Sequence, residues 1–149
     1  MHTIVLIEPK IPQNTGTIAR LCAATNTKLI LVGTLGFSLE DKYLKRAGLD
    51  YWEHVQWEHQ PDLNHFLMSA KNTKPYLLTS KTLKKYTDVQ FLQNQTFFFG
   101  SETEGLSENI KHQFNDRLIT IPMENPNIRS LNLANSVSIV LYEAIRQNS

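Results

Sequence analysis

The sequence predicts a single α/β domain built on a mostly parallel, six-stranded sheet flanked by helices. Three observations predict it. Short β-branched or aromatic runs alternate with helical stretches along the whole chain. No internal repeat, low-complexity tract or Gly/Ser linker interrupts that alternation. The 149 residues, 41% of them hydrophobic, are enough to bury one substantial core.

Taken in order, Thr3 to Ile7 is the first strand, closed at once by Glu8, Pro9 and Lys10, and Thr15 to Asn26 is the helix that follows. Leu29 to Gly33 reads as a second strand and Leu39 to Ala47 as a second helix, with Ser38 as its N-cap and Gly48 placed for a left-handed C-terminal cap. His54 to Trp57 is a third strand, Asp62 to Lys71 a helix, and Pro75 to Ser80 a fourth strand. The stretch Lys81 to Gln95 has no assignable period. Thr96 to Gly100 and Arg117 to Ile121 complete the strands, separated by a helix over Ser107 to Phe114, and a longer helix closes the chain from about Asn132 to Gln147.

Several function classes are excluded or disfavoured. No stretch is apolar for long enough to span a bilayer and none resembles a signal peptide, so a soluble, cytoplasmic protein is expected. The one cysteine, Cys22, is expected in the core and cannot form an intramolecular disulfide. A formal net charge of +1 argues against holding nucleic acid by bulk charge, so RNA affinity must come from local patches such as Lys42, Lys45 and Arg46, or Lys71, Lys74, Lys81, Lys84 and Lys85. Either patch is equally consistent with a solvated face. His54, His59 and His65, interleaved with Glu53 and Glu58, are spaced at five and six residues, whereas helical ligand pairs sit four apart, so no metal site is expected there. Trp52 and Trp57 are expected to pack or to stack on a base.

The loop after the first strand, EPKIPQNTGTIAR, lacks the glycine fingerprint of a dinucleotide fold. Glycines cluster late instead, in FFFGSETEGLS, where Gly100 ends an apolar strand and Gly105 precedes a helix. That moves the expected ligand site to the carboxyl ends of the late strands. In the last helix, apolar residues from Leu133 to Ile145 spread around more of the cylinder than one stripe, so burial on two sides is expected, with Tyr142 suited to a subunit interface.

Three segments, IPQNTGTIAR (Ile11 to Arg20), FGSETEGL (Phe99 to Leu106) and IPMENPNIRSLNLANSVSIVLYEA (Ile121 to Ala144), resemble in order and spacing the motifs of the trefoil-knotted, SPOUT-class RNA 2'-O-methyltransferases. The intervening DKYLKRAGLDYWE fits as well, and the likeness is greatest to the TrmL-type subfamily that methylates the wobble nucleotide of tRNA, cytidine or modified uridine. The resemblance implies a C-terminal deep trefoil knot, S-adenosyl-L-methionine as cofactor, a homodimer, and the tRNA anticodon stem-loop as partner. It matches Asn14, Arg20, Glu102, Ser130 and Asn132 to catalytic and substrate-binding positions. Leu78, Gly100, Gly105, Ile121, Met123 and Ser130 match the cofactor pocket. The loop MENPNIRS is one residue longer than in the familiar members, and the basic tail of some relatives is absent.

Methyl transfer from a sulfonium to a ribose hydroxyl annihilates charge, so alignment and desolvation are the main tasks. Arginine holds its proton above about pH 12, which favours a charged Arg20 that clamps phosphate and stabilises the alkoxide, leaving the general base unassigned. Glu102 is suited either to accept from ribose hydroxyls or to orient Arg20. Asn14 is suited to cap the first helix, to meet phosphate there, or both, and Ser130 and Asn132 to cap the last helix. Another RNA target, or a non-catalytic RNA-binding module, are the competing readings.

Overall fold

In the computed structural model, which describes residues 1–48 and 51–149, the chain alternates strands and helices as β1 (Thr3–Ile7), α1 (Pro12–Ala24), β2 (Lys28–Val32), α2 (Lys42–Gly48), β3 (Trp57–Gln60), α3 (Leu63–Ala70), β4 (Tyr76–Leu78), β5 (Thr96–Phe99), α4 (Glu108–Gln113), β6 (Leu118–Ile119) and α5 (Leu133–Gln147). The six strands form one sheet in the order β3-β2-β1-β5-β4-β6, and every pairing is parallel.

Parallel strands need crossover helices on both faces, and the side-chain alternation supplies a core for each. Ile4, Leu6, Leu29, Leu31, Phe97 and Phe99 point to the layer made by α1 and α5, whose Ile18, Ala19, Cys22, Val137, Val140, Leu141 and Ala144 are buried there. Val5, Ile7, Ile30, Val32, Leu77 and Phe98 point to the other layer, against Phe66, Leu67 and Ala70 of α3 and Ile110 of α4. The Phe97-Phe98-Phe99 run is buried on both sides, as a central parallel strand must be. Cys22 sits fully inside, and burial pushes its thiol up to about 12, so it is a packing residue and not a nucleophile. No helix is long and apolar enough to cross a membrane among the described residues.

Local chemistry revises several sequence expectations. The third strand is Trp57–Gln60 and not His54 to Trp57; Trp52–His54 is a 3-10 turn. This is an edge strand, so polar Glu58 and Gln60 are tolerated, and a Lys28–Glu58 ion pair at 2.8 Å ties it to β2. Helix α1 starts at Pro12, whose missing N–H costs nothing at the first helical position, and its cap residue is Ile11, so Asn14 lies inside the first turn and is not the N-cap. For α2, Asp41 accepts from the backbone N–H of Tyr43 at 2.7 Å, displacing Ser38, whose hydroxyl accepts from Glu40. The C-cap expected at Gly48 rests on residues 49 and 50, outside the described ones. Asn132 does cap α5, accepting from Asn135 N–H at 3.1 Å, and Ser130 does not.

The unassigned stretch from Lys81 to Gln95 is held by side chains. Gln147 donates to the Val89 carbonyl at 3.0 Å and accepts from Phe91 N–H at 2.8 Å. Glu143 takes both forks of Arg146, at 2.8 and 2.9 Å, and the Gln147 amide at 2.9 Å, which lowers its carboxyl to about 2. A depressed carboxyl contributes stability above its ordinary value of 4.5 and loses it as pH falls towards 2. Thermal melts of Glu143→Gln are therefore expected to fall below wild type at pH 7, with the gap closing as pH drops to about 2; an unchanged gap at low pH would contradict this linkage.

Candidate active site

Strand order reverses between β1 and β5, and loops leaving the carboxyl ends of those strands diverge there, which is where open α/β sheets bind ligands. Glu102 stitches the two loops together. Its carboxylate accepts from the backbone N–H of Lys10 at 2.8 Å and of Ile11 at 2.9 Å, and from the Asn14 amide at 3.2 Å. Asn14 in turn accepts from the Asn132 amide at 3.2 Å, so Glu102, Asn14 and Asn132 form one polar chain joining α1, the loop after β5 and the start of α5. A carboxylate at the start of α1 also meets the positive end of the helix dipole.

The loop after β5 is a tight return. Gly105 N–H donates to the Ser101 carbonyl at 2.9 Å, the Ser101 hydroxyl accepts from Glu104 N–H at 3.1 Å, and Gly105 adopts φ +67°. The return lies so close on Gly100 that a Cβ there would be 2.1 Å from the Gly105 carbonyl carbon. Only glycine fits.

Beside this return lies a cavity of ≈ 600 Å³ at the carboxyl ends of β4, β5 and β6. Leu78, Gly100, Gly105, Ile121, Met123 and Ser130, the six residues expected at a cofactor pocket, all line it, and Glu102 lines it too. Asn14 and Asn132 reach it through Glu102. Residues 124–132, all exposed, form the outer part of the connection from β6 to α5 that supplies Arg129, Ser130 and Leu131 to the wall.

Arg20 is the exception. It sits on the exposed side of α1, six residues and about 9 Å along the helix axis from Asn14. Its guanidinium carbon lies over the Tyr51 ring, 4.7 Å from the ring centroid. Glu102 is spent on Lys10, Ile11 and Asn14, so it does not orient Arg20 within the chain.

Sequence reading missed four contributors to the site. Backbone groups of Lys10 and Ile11 have no side-chain signature. Lys81 and Arg129 line the cavity, and the placement of Arg129 beside Ser130 was the available signal. The middle basic stretch is not one patch, because Lys74 precedes β4 and Lys81 follows it, at opposite ends of the sheet. The histidines are placed separately: the His59 ring bonds the Gly33 carbonyl at 2.9 Å, and the backbone N–H of His65 donates to the Asp62 cap. Trp52 and Trp57 pack on each other edge to face at 5.0 Å.

Removing the clasp has a definite cost. Glu102→Ala hands the exposed N–H groups of Lys10 and Ile11 over to water and removes two charge-assisted bonds, so a loss of about 1–2 kcal/mol in denaturant unfolding is expected, with a smaller loss for Glu102→Gln, which keeps one acceptor. Equal stability of Glu102→Ala and wild type would show that the clasp is idle.

Residues 1–142 match the model of the SpoU rRNA Methylase family. The tRNA (cytidine(34)-2'-O)-methyltransferase of Methylovorus glucosotrophus is 46% identical over 149 residues, covering 99% of this chain and 96% of the relative. A solved structure concerned with 2-OH methylation of C/U34 on tRNA superposes with a TM-score of 0.92 at 38% identity, covering 99% of this chain and 96% of the other. The SpoU methyltransferase AviRb from Streptomyces viridochromogenes, in complex with the cofactor AdoMet, matches at TM-score 0.81 and 25% identity, over 98% of this chain and 57% of its own.

Proposed function

Because the chain belongs to the SpoU rRNA Methylase family, we propose that it methylates the ribose 2'-hydroxyl of the wobble nucleotide, cytidine or modified uridine, in the anticodon loop of tRNA, using S-adenosyl-L-methionine. The carrying observation is the cavity itself, lined by all six expected cofactor residues and by Glu102, which anchors the Asn14–Asn132 pair. The near full-length likeness to a tRNA (cytidine(34)-2'-O)-methyltransferase supports the wobble target.

The residues present fit the cofactor. The volume is ordinary for a small-molecule site, and the wall combines apolar Leu78, Phe99, Ile121 and Met123 with polar Thr79, Ser130 and Arg129. The return over Gly100 leaves backbone, not side chain, at the closest approach. When bound, S-adenosylmethionine supplies a methyl carbon made electrophilic by the positive sulfur. The protein's own contribution is to desolvate and align. Glu102 holds Asn14 and Asn14 holds Asn132, which keeps both side chains beside the cavity, where the nucleotide would exchange for these internal bonds. Arg20, positively charged, holds an RNA phosphate and stabilises the oxygen as its proton departs to a base this reading leaves unassigned.

Arg20 lies off the cavity within one chain, so the reading includes a homodimer in which Arg20 of one protomer serves the cavity of the other. Exposed Ile128, Leu131 and Tyr142, half or more than a third accessible, are available for such an interface. The knotted threading of the segment between β6 and α5, and a cytoplasmic location, belong to the same proposal.

Unmodified tRNA incubated with labelled S-adenosylmethionine, followed by nucleoside mapping, tests it. Label on a 2'-O-methyl nucleoside at the wobble position is the expected result. Label on ribosomal RNA alone would move the target to the one in the family's description, and label on no RNA would favour a binding module.

A further inference from the structure

We propose that Tyr51 is a positioning residue that holds the Arg20 guanidinium, by stacking on one of its faces, with its N–H edge open to a phosphodiester of the RNA. This deepens the proposed function and rests on its reading of Arg20.

The geometry has three parts. First, the Arg20 guanidinium carbon lies 4.7 Å from the Tyr51 ring centroid, within cation–π range. Stacking occupies a face and leaves the five in-plane donors free, which is the edge that phosphate binds in a fork. Among the described residues those donors make no hydrogen bond or ion pair, in contrast to Arg146, whose fork is spent on Glu143, and Arg117, whose fork is spent on the Pro75 and Lys74 carbonyls.

Second, both partners are fixed from behind. Arg20 projects from the outer side of α1, whose inner side is anchored by Thr15, Gly16, Ile18, Ala19 and Cys22. Tyr51 opens the Trp52–His54 turn, accepting from His54 N–H at 2.9 Å, and the next residue, Trp52, packs on the core and on Trp57. A long, exposed arginine is otherwise free to sample many rotamers, and ordering it on binding costs affinity and rate. The ring removes much of that freedom beforehand.

Third, the stack is selective for the ring and not for the hydroxyl, because the attraction comes from the aromatic face. Phenylalanine should therefore serve in place of Tyr51 and an aliphatic residue should not.

The test is a double-mutant cycle on the full-length protein with tRNA and S-adenosylmethionine. Tyr51→Leu is expected to lower kcat/KM about tenfold, and Tyr51→Phe to stay within about twofold of wild type. In an Arg20→Ala background Tyr51→Leu should cost nothing further. Cofactor affinity and melting temperature should be unchanged in Tyr51→Phe. The slope of tRNA affinity against salt should drop by about one for Arg20→Ala but persist for Tyr51→Leu, whose charge is intact. An equal penalty for Tyr51→Leu with and without Arg20, or failure of phenylalanine to substitute, would overturn the inference. Should Arg20→Ala retain full activity, the reading of Arg20 falls and this inference with it; should Arg20→Ala be inactive and Tyr51→Leu fully active, only the positioning role falls.

Discussion

Gly100→Ala is expected to abolish cofactor binding and to destabilise the fold by about 3 kcal/mol or more, the upper end of what overpacking costs. The added methyl would stand 2.1 Å from the Gly105 carbonyl carbon, 2.3 Å from the Leu106 nitrogen and 2.5 Å from the Gly105 oxygen. All three are main-chain atoms, so no rotamer change relieves the overlap. The Ser101–Gly105 return must lift, carrying Glu102 away from Lys10 and Ile11. Gly105→Ala is the internal comparison: a Cβ there meets nothing within 4 Å, and only the left-handed backbone at φ +67° opposes it. That should cost about 1–2 kcal/mol. Calorimetric titration with S-adenosylmethionine and thermal melts would measure both. Tight binding by Gly100→Ala would mean that the return is not part of the pocket.

Arg20→Ala is expected to lower kcat/KM for tRNA by about 10²–10³, the usual loss when a charged group facing a developing oxyanion is removed. Arg20→Lys keeps the charge but not the fork, and recovery of most activity would show that charge outweighs geometry. Mixing provides a sharper result. If Arg20 serves the partner's cavity, Arg20→Ala protein mixed with Gly100→Ala protein should regain about a quarter of wild-type activity, since half of randomly exchanged dimers carry one intact composite site. If each Arg20 serves its own chain, no mixture recovers. Solution mass would establish that both variants dimerise, and a monomeric wild type would remove the composite site altogether.

Central strands were legible in the sequence, whereas the edge strand β3 was misplaced. Thr3 to Ile7 and Thr96 to Phe99 announce themselves because burial on both faces requires continuous apolar residues. Trp57–Gln60 reads WEHQ, since an edge strand half open to water carries no such requirement, and the apolar Val55 drew the expected strand upstream. The start of α1 was misplaced for a different reason. Asn14 looks like a cap only if its neighbours in sequence are its partners, whereas its amide is committed to Glu102, far along the chain. The late glycine cluster pointed to the right end of the sheet, but the individual wall residues came from resemblance. At Leu78, Gly100 and Ile121 what matters is where the main chain runs, and spacing does not encode that. Arg20 stacking on Tyr51 is likewise a product of tertiary packing between α1 and the segment after α2.

The neighbours of β1 impose an order on biosynthesis. On one side Thr3 pairs with Lys28, available almost at once, but on the other it pairs with Thr96. At about 5–20 residues per second a ribosome needs roughly 5–20 s to deliver the second partner after the first strand has emerged. Throughout that interval the nascent Ile4-Val5-Leu6-Ile7 ribbon has one unsatisfied edge, a template for intermolecular pairing. Overexpression should therefore favour inclusion bodies at high synthesis rates, with slower translation, lower temperature or a co-expressed holdase raising the yield of folded protein.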